Sequence, residues 1–345
     1  MLGGGVFVTQ NKILPGSYIN FVSLVANTSA IGERGTVAIA LPLNVNTGTV
    51  IELTRANFVA NCAELIGVEY TSDEAAPLRE IFVHANKVYV YDISEDQTVA
   101  DVVAAFEPYE FNVLCAYTNV AEDISAYITA VKSWRDDMGK KCQVVVYNQE
   151  NSNHEGVINV VSTVSSEDAP DYALVAWVAG AEAGCKVNES CTNMVYDGEY
   201  DIITDKTQAQ LEACIENGEI AFHLVYGKVR LLEDINSLVD ITENKGEDFK
   251  SNQTIRVIDQ IANDIAKMFN TKYLGKIPNN ESGRVSLWAD IVRHHKELEA
   301  LQAIEKFDAE SLKVEKGDNK KSVVVYDYIT PINAMAQLYM TVVVQ

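Results

Sequence analysis

The 345-residue sequence predicts a mixed α/β and α+β chain of several domains, with an extended strand arm at each end. Three observations predict this class. Strand-like and helix-like patterns alternate between residues 94 and 235, which is typical of a largely parallel sheet covered by helices. Residues 236–330 contain two long amphipathic patterns and a strand. Both ends are β-prone, with Pro15 following the first arm and Pro331 preceding the last.

Composition restricts the classes of function. Hydrophobic residues make up 48% and charged residues 22%, which is typical of a globular protein. The net charge of −22 would repel phosphates, so we expect no nucleic-acid partner. The longest apolar run, Tyr172–Ala181, is too short to cross a bilayer, and the N-terminus lacks the pattern of a secretory signal. We therefore expect synthesis in the cytoplasm and no membrane insertion.

Residues 1–25 are predicted to form an extended N-terminal arm. Val6, Phe7 and Val8 are a short β-prone run after three glycines, the residues that restrict the backbone least. Tyr18 and Ile19 follow a Pro-Gly turn and begin a stretch rich in β-branched and aromatic residues.

Residues 26–93 are predicted to form a small β-rich domain. Its strands are expected at residues 35–40, 48–53 and 87–92, bounded mainly by Gly and Asn. Thr54 is a suitable N-cap for a helix that runs through Leu65 and stops at Gly67.

Residues 94–235 are predicted to form an α/β domain. Helices are expected at residues 98–106, 123–138, 170–183 and 207–217, and strands at 111–117 and 142–147. Tyr226-Gly227 is a plausible hairpin turn between strands 220–225 and 228–232.

Residues 236–330 are predicted to form an α+β C-terminal domain, followed by a second arm over residues 331–345. Asn252–Phe269 and Val285–Phe307 are predicted helices, and Val323–Tyr326 is a predicted strand. The arm has alternating residues and is predicted to end as a strand that includes Leu338, Tyr339, Met340, Thr341, Val342 and Val343.

No catalytic, cofactor or metal motif is found in the sequence. It contains no phosphate-binding loop and no nucleophile elbow. His294 and His295 are adjacent on a predicted helix and point about 100° apart, which favours a helix-surface position over a metal site. The six cysteines include no Cys-x-x-Cys pair and are expected to be reduced structural thiols. The sequence therefore predicts no enzyme and no cofactor.

The two arms favour self-assembly. A lone terminal strand with apolar residues is an aggregation hazard unless another sheet pairs with it. Donation to the sheet of an identical neighbour provides that pairing, and repeated donation builds a ring stack or a filament. The alternative is an enzyme, such as an α/β hydrolase, or a ligand-binding protein with an unrecognised site. The missing motifs and the terminal strands weigh against that alternative.

Motifs spread along most of the chain are similar to those of a known family. The resemblance is to the contractile tail sheath proteins of bacteriophages and phage-tail-like bacteriocins. The stretches that carry it, in chain order, are Leu14–Ile19, Trp177–Gly180, Ala183-Gly184, Ser190–Asn193, Val229-Arg230, Asp234–Leu238, Arg256–Ile261, Tyr273–Asn279, Gly283-Arg284, Pro331–Met335 and Leu338–Val342.

The resemblance implies a subunit of stacked six-membered rings around an inner tube, which contract from a metastable extended state. It also implies a subtilisin-like middle domain without catalytic residues. The implied partners are other copies of the chain, the inner tail tube protein, and baseplate and tail terminator proteins. The implied location is a virion tail or a released phage-tail-like particle. A phage, a defective prophage and a bacteriocin all remain open as its source.

The resemblance further implies that the C-terminal domain faces the tube. On the predicted helix Val285–Phe307, Arg293, His294 and Lys296 form a local basic cluster in an acidic chain. Such a cluster can make salt-sensitive contacts with an acidic surface. The alternative is a solvated helix face on which these residues pair with Glu297 and Glu299.

Overall fold

A computed structural model describes residues 31–166 and 169–343. The predicted arm strands at Val6–Val8 and at Tyr18-Ile19 lie outside the described residues. The strands are β1 Thr36–Leu41, β2 Val50–Thr54, β3 Lys87–Asp92, β4 Val113–Cys115, β5 Gln143–Tyr147, β6 Val157–Val160, β7 Glu219–Ile220, β8 Phe222–Val225, β9 Lys228–Leu231, β10 Lys313–Lys316 and β11 Val323–Tyr326. The helices are α1 Arg55–Ile66, α2 Ala76–Phe82, α3 Val99–Phe106, α4 Ala121–Asp136, α5 Leu174–Gly184, α6 Gln208–Glu216, α7 Asn252–Met268 and α8 Glu281–Ala300.

Seven strands form one sheet in the order β2-β3-β1-β4-β5-β6-β7. The edge strand β2 is antiparallel to β3, and the other neighbours are parallel. Because β1 pairs with both β3 and β4, residues 36–92 share this sheet with residues 113–220. They do not form a separate β-rich sheet, as the predicted boundary at residue 93 implied. Local propensity placed the strands but carries no information on which strands pair.

Helices cover both faces of the sheet, and each face has its own apolar core. Val145 and Ile158 point to the face that packs against α2 and α5, whereas Val144 and Val146 point to the face of α3 and α4. Strands that are buried on both faces read as continuous apolar runs, which explains the Val144–Val146 pattern. The predicted α/β architecture of this region is confirmed.

The sheet domain is the part of the chain that contains the seven-stranded sheet and the helices on its two faces. Helix α5 is its most deeply buried helix. Trp177 on this helix is fully buried and packs in the core. A Cβ atom at Gly180 would lie 2.4 Å from the carbonyl oxygen of Ile81, so glycine allows α5 to cross α2 at close range. None of the described helices is both long and apolar enough to cross a membrane.

Local signals placed most element boundaries correctly. The Thr54 side chain caps α1, and Gly67 ends it in the left-handed conformation with φ of 74°. Tyr226 and Gly227 both have positive φ, as a two-residue hairpin turn between β8 and β9 requires. The sequence analysis missed β6, β10 and α2. All six cysteines are free and buried.

The predicted helix Val285–Phe307 is displaced in the structure. The helix α8 begins at Glu281, because the Asn280 side chain accepts a hydrogen bond from the Gly283 N–H at 2.8 Å. It ends at Ala300, and Gln302 then adopts a positive φ of 60°. Ile304 and Phe307 still contribute to the core, but from a turn beyond the helix. Because these two residues are apolar and continue the helical spacing, the sequence pattern predicted a helix that is too long at its C-terminal end.

Candidate functional site: an ionic joint and an exposed C-terminal segment

Helix α7 joins the sheet domain to the C-terminal domain through two different faces. Its apolar face, with Val257 and Ile261, packs with Leu287 and Ile291 of α8 in a third core. Its polar face is also buried, because it lies against the sheet domain. The buried polar residues of this face are Asn252, Arg256, Asp259 and Gln260, and Asn263 beside them is half-buried. Buried polar groups need partners, so this face forms a specific joint.

Arg256 is the centre of the joint. Its guanidinium Nη2 lies 2.6 Å from Glu182 Oε2 on α5 and 3.3 Å from Asp234 Oδ2. Its Nη1 donates to the Glu189 carbonyl oxygen at 2.8 Å. All three charged side chains are only 1% exposed. Glu182, Asp234 and Cys191 have a spacing that could hold a metal ion, but the guanidinium already supplies the cation there.

The pKa values of the two carboxyl groups around Arg256 shift in opposite directions. Burial raises the pKa of Glu182 well above its ordinary value, and the negative charge of Asp234 raises it further. Burial also opposes ionisation of Asp234, but Arg256 and a hydrogen bond from Glu182 lower its pKa overall. The Cys191 N–H adds a hydrogen bond to Asp234 Oδ2 at 2.9 Å. Arg256 thus favours the ionised form of Asp234, whereas burial beside Asp234 disfavours ionisation of Glu182.

A second ion pair ties α4 to α7. Arg135 donates to Asp259 through two nitrogens, at 2.6 and 2.9 Å, and both side chains are buried. Arg135 also donates to the Cys142 carbonyl oxygen at 2.8 Å. The planar fork of arginine fits a carboxylate in this two-bond geometry. The joint is thus held at two points along one helix.

The sequence analysis noticed the Arg256–Ile261 stretch only as part of a resemblance. It did not predict that Arg256 and Asp259 are buried partners of another domain. A signal was present, because Arg256, Asp259 and Asn263 recur at spacings of three and four and so share one side of a helix. Polar stripes are usually solvated, and the sequence alone does not distinguish a solvated stripe from a buried joint.

His294 and His295 are both fully buried, so the prediction of a helix-surface position is wrong. His294 Nε2 lies 2.9 Å from Asp264 Oδ2, and His295 Nε2 lies 2.7 Å from Asp327 Oδ2. Acidic partners from other segments make this burial possible. For the same reason, His294 cannot contact an external tube in this conformation.

The other two predicted tube-contact residues are exposed. The side chain of Arg293 is 60% exposed and lies 3.6 Å from Asp290. Lys296 is 46% exposed, lies 2.6 Å from Glu299, and donates to the Phe307 carbonyl oxygen at 3.0 Å. Lys296 thus has the acidic partner that the solvated-face alternative expected. Of these two cations, Arg293 is the more exposed to an external partner.

The C-terminal segment first docks on the body and then leaves it. The Ile332 N–H donates to the Ala303 carbonyl oxygen at 3.0 Å, and the Ala334 N–H donates to Gln253 Oε1 at 2.8 Å. From Met335 onward the side chains are solvent-exposed: Met335 is 102% exposed, Leu338 86% and Tyr339 88%. Met340, Val342 and Val343 are also exposed. Residues 335–343 form no strand with any described part of the chain, so the predicted arm strand has no partner here.

The hairpin β10–β11 lies beside the point where this segment begins. Its two antiparallel strands form a sheet of their own, so each has one edge without a strand partner among the described residues. Val324, Val325 and Tyr326 on β11 are exposed. A two-stranded sheet is marginal in water without further packing.

Comparisons with known proteins agree on one family. The family model described as the phage tail sheath protein central domain matches residues 94–237, and the phage tail sheath C-terminal domain model matches residues 244–345. The matched curated relatives are 28–29% identical, and the chain spans 56% of the length of each. One is the tail sheath protein of Clostridium phage phiCD119, which is 29% identical over 202 residues, or 58% of this chain.

Solved structures share the fold. A sheath tail protein from Desulfitobacterium hafniense has a TM-score of 0.78 and 24% identity, with 93% of this chain and 98% of that chain covered. The helical sheath of the anti-feeding prophage in its contracted state has a TM-score of 0.71 and 13% identity, with 96% and 99% covered. The two family matches together cover more than half of the sequence. The chain belongs to the contractile phage tail sheath family.

Proposed function

We propose that this protein is a structural subunit of a contractile sheath that polymerises as stacked six-membered rings around an inner tube. The observation that carries the proposal is the C-terminal segment, which leaves the body and exposes apolar side chains from Met335 to Val343. Apolar side chains in such a run need a partner, and repeated donation to an identical neighbour gives a regular polymer. The family membership supports the same function.

The hairpin β10–β11 is the best acceptor for a donated strand. Each of its strands has an edge that is unpaired among the described residues, and β11 exposes apolar side chains. Residues 335–343 could reach roughly 30 Å when fully extended, which is enough to reach an adjacent subunit. A third strand would also stabilise a sheet that is marginal with two. The N-terminal arm, residues 1–25, is proposed to contribute in the same way.

Contraction is proposed to be a rigid-body rearrangement of subunits that remain linked by their arms. The ionic joint at Arg256 and Arg135 supports this view, because it fixes the C-terminal domain to the sheet domain. Two packings of such bodies need differ by only a few kcal/mol per subunit to release substantial work over a whole tail. The extended state would then be kinetically trapped, and no nucleotide would be consumed.

Within this assembly, the sheet domain is proposed to correspond to the subtilisin-like middle domain, since it has a largely parallel sheet between helix layers. The assembled sheath would contact baseplate and terminator proteins at its ends. It would act in a virion tail or a released phage-tail-like particle. No feature of the described residues favours the hydrolase-like or ligand-binding alternative, since the buried carboxylates Glu182 and Asp234 are held by Arg256.

Truncation tests the proposal. Protein lacking residues 335–345 should remain folded but should form no long polymers by sedimentation and negative-stain electron microscopy, whereas the full chain should form striated hollow tubes. The control is Leu224→Ser, which removes an exposed apolar side chain from the hairpin β8–β9 and should leave polymerisation intact. Normal sheaths from the truncated protein would contradict the proposal.

The tube-facing surface is proposed to include Arg293 and Lys296 on α8. Arg293→Glu should weaken extended sheaths on their tube, and the loss should be larger at low salt, because exposed charges are screened as salt rises. Contracted-form polymers should be unaffected. Lys186→Glu, on the sheet domain, is the matched charge reversal. If Arg293→Glu leaves the extended particles as stable as the native ones at both low and high salt, α8 is a solvated helix face and does not contact the tube.

A further inference from the structure

One side chain makes the last backbone hydrogen bonds between the body and the C-terminal segment among the described residues. Gln253, in the first turn of α7, donates from Nε2 to the Ile332 carbonyl oxygen at 3.2 Å, and its Oε1 accepts from the Ala334 N–H at 2.8 Å. Because a side-chain amide has both a donor and an acceptor, it pairs with the segment as a neighbouring strand would. We call this pair of bonds the Gln253 clamp.

The Gln253 clamp has a fixed base. Gln253 is only 3% exposed, and the residue before it, Asn252, accepts a hydrogen bond from Gln143 Nε2 on β5 at 3.0 Å. The ionic joint lies one turn further along α7. The Thr254 hydroxyl adds a bond to Asn333 Oδ1 at 3.1 Å, but this bond joins two side chains and does not hold the backbone of the segment. The point at which the segment leaves is therefore fixed relative to the sheet domain by Gln253.

The sequence of the segment does not fix its own register. Apolar residues alternate at Leu338, Met340 and Val342. A slip of one residue exchanges the two faces of a strand, whereas a slip of two residues keeps them. A two-residue slip would place Met340 where Leu338 had been and Val342 where Met340 had been, so that each apolar side chain replaces another. When the strand is donated, its pattern alone therefore permits this slip.

We propose that Gln253 is the positioning residue that sets the register of the donated C-terminal strand. The inference rests on the proposed strand donation. With the Gln253 clamp formed, the free strand begins at Met335. Without it, the last backbone bond to the body is that from the Ile332 N–H to the Ala303 carbonyl oxygen, at 3.0 Å. The free strand then gains two residues, or roughly 7 Å of reach. This gain equals the advance that a two-residue slip toward the neighbour requires, so the Gln253 clamp excludes the slip that the sequence permits.

Amide hydrogen exchange of the unassembled full chain, read by NMR at Ala334, tests the Gln253 clamp. Gln253→Met keeps the size of the side chain but removes both bonds, so the Ala334 amide should exchange about tenfold faster than in the native chain. Gln260→Met is the matched control, because Gln260 is also a buried amide of α7 but bonds to Gly32 and Asp264. It should leave exchange at Ala334 unchanged. Equal exchange in the native chain and in Gln253→Met would overturn the proposal.

Cryo-electron microscopy of polymers tests the effect on register. Native polymers should show residues 335–343 in one register, whereas Gln253→Met should give two registers that differ by two residues. Ala334→Pro removes the bonded N–H from the segment without altering α7, so it should give the same mixture, and it keeps the test valid if Gln253→Met does not fold. Gln208→Met is the control, because this exposed amide of α6 bonds to Glu212 and should preserve a single register.

A single native register in both Gln253→Met and Ala334→Pro would overturn the positioning role of Gln253. A native chain that forms no polymers would refute the proposed function, and with it this inference. That failure appears in the native sample without any variant, so it is distinct from an unchanged register in the variants.

Discussion

The body of the subunit buries charged side chains, whereas its C-terminal segment exposes apolar side chains. In the body even ions are sealed from water, since Arg256, Glu182 and Asp234 are each 1% exposed. In residues 335–343 the apolar side chains are left in water, as Met335 and Leu338 illustrate. The body is thus complete by itself, whereas the segment gains stability only from a second molecule. Folding and assembly should be separable by mutation.

The largest effect on folding is expected at the ionic joint. Arg256→Met removes the cation that pairs with Glu182 and Asp234, and it leaves the two buried carboxyl groups without that ion pair. Breaking a buried pair in this way costs about 3–5 kcal/mol of the free energy of unfolding. Urea unfolding monitored by circular dichroism measures the loss. Arg256→Lys keeps the charge and should lose less, whereas an Arg256→Met protein as stable as the native chain would mean that the joint does not hold the domains together.

A smaller, pH-dependent effect is expected at Glu80 in the sheet domain. Burial raises the pKa of Glu80 from its ordinary value of 4.5 to about 7, although the Glu199 N–H and the Tyr196 hydroxyl donate to it. The folded state therefore binds this proton more tightly than the unfolded state. The resulting stability, about 3 kcal/mol, is present below pH 4.5 and is lost as the pH rises through 7.

Thermal unfolding between pH 4.5 and 8 measures this dependence. Glu80→Gln cannot ionise and should flatten that part of the profile. Glu64 lies exposed on α1, so Glu64→Gln should leave the slope unchanged. A native slope that survives in Glu80→Gln would assign the effect to another group.

The smallest effect on folding is expected from the segment that matters most for assembly. Residues 335–343 have exposed side chains, so removal of residues 335–345 should change the free energy of unfolding by less than about 0.5 kcal/mol. The urea midpoint of the truncated protein, compared with that of unassembled native protein, measures this. A large loss of stability would show that the segment folds back on its own body, and the contrast between the two regions would fail.

The sequence predicted what local chemistry determines. The Thr54 cap, the Gly67 stop and the Tyr226-Gly227 turn depend on neighbouring residues, and all three are present in the structure. The pattern at residues 142–147 likewise predicted a strand, and β5 lies there. Such features require no knowledge of distant parts of the chain.

The sequence did not predict what depends on distant partners. Residues 26–93 were predicted as a separate domain, but β1 pairs with β4 of the next predicted domain. That pairing is set by topology, which local sequence patterns do not reveal. His294 and His295 were placed on a surface because the aspartates that make their burial possible, Asp264 and Asp327, lie about thirty residues away in either direction. Arg256 was noticed for its motif, but its partners come from another domain.

Cryo-electron microscopy of polymers assembled from the purified full chain tests the central claim most directly. The account predicts helical tubes with six subunits per ring, in which density for residues 335–343 leaves one subunit and pairs as a strand with β10–β11 of a neighbour. The ionic joint at Arg256 should be unchanged from the isolated subunit. Polymers in which residues 335–343 lie on their own body, or a full chain that stays monomeric at all concentrations, would contradict the account.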